Sequence, residues 1–132
     1  MANKSDHLKM IQDMVTRLAK NSFALKGWSV TIVSSLLALS TAVADRISVM
    51  VISIVPLLIF WILDGYYLDQ ERRFRVLYDE VRAKAEADIN FAMAPTGATP
   101  GWLATMFSRT ILTFYAALLT VTVAMIVLLS RR

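Results

Sequence analysis

Between Gly27 and Leu63 the chain carries two charged residues, and they are adjacent: Asp45 and Arg46. The uncharged runs on either side read GWSVTIVSSLLALSTAVA over 27–44 and ISVMVISIVPLLIFWIL over 47–63. One straight helix over 27–63 would be ~55 Å long at 1.5 Å per residue. A bilayer's hydrocarbon core is ~30 Å thick. The chain therefore has to turn near Asp45-Arg46 and form a helical hairpin, although no Gly or Pro marks the turn. A third uncharged run, TILTFYAALLTVTVAMIVLL over 110–129, has the usual length of a membrane span. The residues before it extend the expected third span to 103–129. The first two spans lie near the short limit.

Of the 132 residues, 57% are hydrophobic, against about 45–50% in a soluble domain. A soluble hairpin buried by its neighbours is the competing reading, but three such runs leave too little polar sequence to cover them. The sequence has no cysteine, which excludes disulfides and thiolate chemistry. A signal peptide is the other reading of the first run. The 26 residues before it exceed a usual charged n-region, so span 1 is expected to be retained.

Two amphipathic segments flank the hairpin. Over residues 5–25, Leu8, Ile11, Val15, Leu18 and Leu25 share a stripe at helical spacing, with Lys9, Asp13, Arg17 and Lys20 opposite. Ser5 or Asn3 is placed to cap its start. Over 64–92 a charged helix is expected to continue span 2 without a break. Phe74, Leu77, Val81 and Ala85 form its apolar stripe. Glu71–Arg75, Asp79–Arg82 and Glu80–Lys84 lie at pairing distance on its surface, each worth about 0.2–0.5 kcal/mol. The two segments are expected to pack against each other antiparallel, and the linker 94–101, rich in Pro and Gly, ends the second. The fold class expected is thus an all-α integral membrane protein: a transmembrane hairpin plus a third span, with two amphipathic cytoplasmic helices.

Orientation follows from the basic residues. Lys4, Lys9, Arg17, Lys20 and Lys26 precede span 1, and Arg72, Arg73, Arg75, Arg82 and Lys84 follow span 2. The hairpin puts both groups on one side, which the positive-inside rule makes cytoplasmic. The N-terminus is then inside and the C-terminus outside, in a cell (inner) membrane.

Asp64 follows the last apolar residue of span 2 and precedes Tyr66 and Tyr67. The expectation is that it marks the cytoplasmic end of the span. Trp61, Tyr66 and Tyr67 would form an interfacial aromatic belt, and Lys26 and Asp64 would each be solvated. A Lys26–Asp64 pair that fixes hairpin register and a carboxylate ring at a pore mouth are the alternatives. Mid-span, Pro56 removes the bond to the Ile52 carbonyl and kinks the helix, with Ser53 near enough to satisfy the freed group.

Catalytic and metal-ligand patterns do not emerge. His7, the only histidine, lies near the N-terminus, where fraying is expected, and no serine has a base at helical spacing. No enzyme activity and no cofactor are expected. Nucleic acid is disfavoured because the basic residues interleave with acids. Small and hydroxyl residues do recur every four positions: Gly27, Thr31 and Ser35, then Ser34, Ala38 and Ala42, and in span 3 Ala116, Thr120 and Ala124. Such faces let helix backbones approach closely, either within one chain or between copies, with some hydroxyls lining a wet path.

The stretches NSFALKGWSVTIVSSLLAL and FWILDGYYLDQERRFRVLYDEVR carry a resemblance in layout over residues 5–92. A basic helix entering a short hairpin, followed by a charged helix, resembles small bacterial membrane proteins of unassigned function. It is similar to the SLATT-type two-span effector modules of bacterial conflict systems. The third span departs from that layout. The resemblance implies an oligomeric membrane effector of bacterial conflict or phage defence, a channel or permeability-altering pore controlled by a cytoplasmic protein partner. The alternative reading is a membrane anchor or scaffold that recruits such a partner.

Overall fold

The structure, a computed structural model, describes residues 3–95 and 101–131. Among these residues it is helical without strands, and three of its helices are long and apolar enough to cross a membrane. Helix α1 runs unbroken over Lys4–Ser40, so the expected amphipathic helix and span 1 are one rod of 37 residues. Asn3 caps it by accepting from the Asp6 amide at 2.9 Å. The far end closes without glycine. The Ser40 hydroxyl donates to Leu37 O at 2.5 Å and the Thr41 hydroxyl to Ala38 O at 2.7 Å. Side chains thus satisfy last-turn carbonyls that would otherwise be orphaned. The helix ends four residues short of the expected 44.

After the turn, Asp45 caps α2 (Arg46–Ile52) by accepting from Ser48 N at 3.3 Å. α3 follows over Ile54–Ala83. The break between them falls at Ser53, three residues before Pro56, and the Ser53 hydroxyl bonds Met50 O at 2.5 Å rather than the expected Ile52 O. The 3.6-residue turn brings the carbonyl three residues back within reach of a bent serine, which is the commoner local bond.

The expected charged helix to residue 92 ends at Ala83. Its sequence favours a longer helix, but tertiary contacts override propensity. The Lys4 ammonium takes the carbonyls of Arg82 and Lys84 at 2.7 and 2.8 Å. The chain then folds back through a short 3-10 turn, Glu86–Asp88, and buries Ile89 in the core between α1 and α3. Ala85 therefore leaves the stripe and is exposed. His7 is not frayed. It is 1% exposed, with Nε2 at 3.0 Å from Ala92 O and its ring 5.3 Å from that of Phe91.

The third expected span also divides. Residues 103–106 belong to a short α4 (Trp102–Met106), and α5 begins at Arg109 and ends at Ser130. Two indoles hook α4 onto α3: Trp61 Nε1 donates to Met106 O at 2.9 Å, and Trp102 Nε1 to Ile62 O at 3.2 Å. Gly65 permits the approach, because a Cβ there would lie 2.4 Å from Met106 Cγ and 3.3 Å from its Cα. Gly65→Ala is expected to displace α4 and cost about 1–3 kcal/mol, the usual penalty of overpacking. Indole fluorescence of Trp61 and Trp102 would shift on the displacement, and an unfolding titration would give the cost.

The molecule has two ends with separate cores. In one, which we call the stalk, Ile11, Val15 and Leu18 of α1 pack with Phe74, Leu77, Val81 and Ile89, and Leu8 lies against them. In the other, Val33 and Leu57 pack with Ile111 and Tyr115 of α5. This second half exposes large apolar side chains. Trp28 is 62% exposed, and Leu39, Ile59 and Leu128 are also bare.

Candidate functional site

Where the two halves meet, α1 presents Ser22 and Lys26, one turn apart, to Asp64 on α3. The Lys26 ammonium lies 2.5 Å from Asp64 Oδ2 and 3.1 Å from Ser22 Oγ. The Ser22 hydroxyl donates to Asp64 Oδ1. Asp64 is 0% exposed. The two solvated interface charges expected from the sequence are therefore replaced by one buried pair. A carboxylate without water needs such partners, because an unpaired charge in a low-dielectric interior is strongly disfavoured.

α5 closes the site. Tyr115 is fully buried with its hydroxyl toward Asp64 and Ser29, though no hydrogen bond of good geometry forms there. Trp61 stacks on the Tyr115 ring at 5.9 Å, nearly parallel. Lys26 also lies 5.9 Å from the centre of the Phe114 ring. Trp61 thus packs against α5, and Tyr67 packs on the stalk core. Tyr66 remains about half exposed.

The pair changes how the uncharged surface is measured. With Lys26 and Asp64 turned inward, uncharged helix runs from Asn21 to Ser40 on α1. It runs over 47–68 on α2 and α3, and over 110–130 on α5. At 1.5 Å per residue these lengths are about 30, 33 and 31 Å. All three match a bilayer core, whereas the first two runs alone looked short. Lys26, Asp64 and Tyr115 each lie five or six residues inside the nearest flanking charge, a depth of about 7–9 Å.

Two further acids are buried beyond this level, and the sequence reading did not single either of them out as buried. Asp69 is 2% exposed and accepts from Arg73 Nε at 3.0 Å. Glu71 takes Arg75 through two bonds, the shorter 2.8 Å. Asp79 and Arg82 approach to 3.5 Å on the surface. The expected Glu80–Lys84 pairing loses its geometry because the helix has ended.

The small-residue faces point outward. Gly27, Thr31, Ser35, Thr120 and Ala124 are exposed, and Ala116 is half-buried. They do not form the packing between the helices of one chain. Their hydroxyls bond their own helix: Thr31 to Gly27 O at 2.9 Å, Ser35 to Thr31 O at 2.7 Å, Thr120 to Ala116 O at 2.7 Å. No metal-ligating group of three His, Asp or Glu side chains forms among the described residues.

The fold and site define an all-helical chain with three helices able to cross a membrane, consistent with a multi-pass membrane protein. No family model, curated protein or solved structure matches it.

Proposed function

We propose that the chain is a non-enzymatic, oligomeric membrane effector controlled through its stalk. One observation carries this reading: α1 and α3 pass unbroken from the stalk core into the uncharged half. A twist or separation applied to the stalk by a cytoplasmic partner must act on the same two helices inside the bilayer. The buried Lys26–Asp64 pair sits where the two regimes join and holds their register. The lipid-facing rows Gly27–Thr31–Ser35 and Ala116–Thr120–Ala124 supply contact surface for further copies, since small residues allow close backbone approach in lipid.

In this reading the stalk is cytoplasmic, with nine of the ten basic residues, Lys26 lying at the junction, and α5 carries the C-terminus to the far side. The layout shared with SLATT-type modules supports a permeability-altering pore as the output. In an assembled ring the hydroxyls that now bond their own helices would turn to water. Native mass spectrometry of the full chain should show a closed oligomer of four or more copies. Liposomes containing it should then leak small ions when the stalk is perturbed. A folded oligomer that stays tight under that perturbation would sink the pore.

The second reading, an anchor that recruits a cytoplasmic protein, draws on a separate observation. The exposed hydroxyls are already satisfied within their helices, and the charges inside the uncharged region neutralise each other. Its signature is a stalk-dependent complex with no conductance.

A further inference from the structure

A groove opens at the surface beside the Lys26–Asp64 pair, where α1, α3 and the first turn of α5 converge. Ala19, Phe23 and Leu68 make its apolar wall, and Phe23 is 80% exposed. Lys26 and Thr110 stand at its polar end. A lysine ammonium has three N–H donors. Lys26 gives two of them to Asp64 and Ser22, which leaves one on a side chain that lines the groove. A second depression shares Ala19 and Phe23 and adds Lys20 and Arg75. Glu71 also lines the groove, but Arg75 holds its carboxylate at 2.8 Å.

We propose that this groove seats the headgroup of one anionic phospholipid, its phosphodiester held by Lys26 and Thr110, with Lys20 of the adjoining depression adding positive charge beside it. The proposal rests on the membrane reading above and adds a ligand to it. Two features argue for a lipid over a soluble anion. Phe23 and Leu68 of its wall belong to the uncharged runs of α1 and α3, along which acyl chains would lie. The groove also reaches from beside the flanking charges Lys20, Asp69 and Arg109 inward to Lys26, the depth over which a headgroup meets its acyl chains if the uncharged lengths span the core. Basic residues near an anionic lipid surface gain about 1 kcal/mol each, and Lys20 is exposed in the adjoining depression. The lipid would cover Phe23 and act as a fourth body holding α1, α3 and α5 together.

The test uses the full chain in vesicles and in mixed micelles. Flotation with pure phosphatidylcholine vesicles first checks insertion alone. Native mass spectrometry in micelles that contain equal phosphatidylglycerol and phosphatidylcholine of the same chains then reads lipid retention. Phosphatidylglycerol should be retained about thirtyfold over phosphatidylcholine, as two basic contacts imply. Lys20→Gln should reduce that preference about fivefold, and Thr110→Val should weaken retention of both lipids, since both carry the phosphodiester. Lys9→Gln, a stalk charge that does not line the groove, should leave it unchanged. Neither groove variant touches the buried pair, and helical circular dichroism confirms their folds. Equal retention of the two lipids, or a preference that survives Lys20→Gln together with unchanged retention in Thr110→Val, overturns the site while flotation leaves the membrane reading standing. Displacement of the lipid by millimolar inorganic phosphate overturns the lipid in favour of a soluble anion. Failure to float overturns both readings.

Discussion

Lys26→Met should lower the unfolding free energy by about 3–5 kcal/mol, the cost of leaving one member of a buried ion pair uncompensated. The magnitude follows from the geometry. Asp64 is fully buried and its partner lies at 2.5 Å, and only the Ser22 hydroxyl would remain bonded to it. Asp64→Leu should cost a similar amount by stranding the ammonium. It should cost less if Lys26 snorkels outward along its flexible stem, which its partial exposure allows. The double variant Lys26→Met, Asp64→Leu should recover most of the loss, because apolar residues of similar volume replace a buried pair at little or no cost. A reversible unfolding titration in mixed micelles measures all three, and the double-mutant cycle isolates the coupling. If each single variant costs under about 1 kcal/mol, the pair behaves as a solvated one. The double variant also separates stability from control. It should fold as well as the parent yet lose the register that the pair imposes, so stalk perturbation should act on its spans differently.

This pair shows what the sequence disclosed and what it concealed. Three helices, the turn near Asp45-Arg46 and the two stalk stripes were legible because each rests on local pattern: uncharged length, or apolar spacing of three and four. The seven stalk positions Leu8, Ile11, Val15, Leu18, Phe74, Leu77 and Val81 all lie in or against one core. Asp64 was readable as an end mark because a charge after an apolar run usually ends it. Its burial depends on Lys26, 38 residues away, and the uncharged lengths were the available clue. Spans of 18 and 17 residues are short for a bilayer. Extending both through Lys26 and Asp64 restores about 30 Å, which works only if the two charges cancel.

Other departures have the same origin. The charged segment ends at Ala83 because Lys4, His7 and Ile11 draw the following residues back onto α1, a contact across some 80 residues. Nothing local in KAEAD announces it. The seat of α4 before α5 depends on a glycine on another helix, since Gly65 makes room for Met106. The outward aim of Gly27 and Thr120 was undecidable from spacing, which gives a face but not the neighbour it meets.

Ile11→Ala is expected to have the second largest effect, about 2–5 kcal/mol for emptying a fully buried aliphatic site. Ile11 is 0% exposed and sits among Val15, Leu77, Val81 and Ile89 in the stalk core. That core shares no residue with the one formed by Val33, Leu57, Ile111 and Tyr115. The loss should therefore appear as local opening of the stalk. Amide hydrogen exchange should quicken over residues 8–18 and 74–90 and stay slow over 30–40 and 111–122. The loosened stalk then distinguishes the two proposed functions. If the stalk restrains a pore, Ile11→Ala liposomes should leak without any partner. If the stalk is a recruitment surface, they should stay tight and the variant should lose its cytoplasmic complex. Uniform exchange along both helices would mean that the rods transmit the defect through the Lys26–Asp64 level, making stalk and spans one cooperative unit.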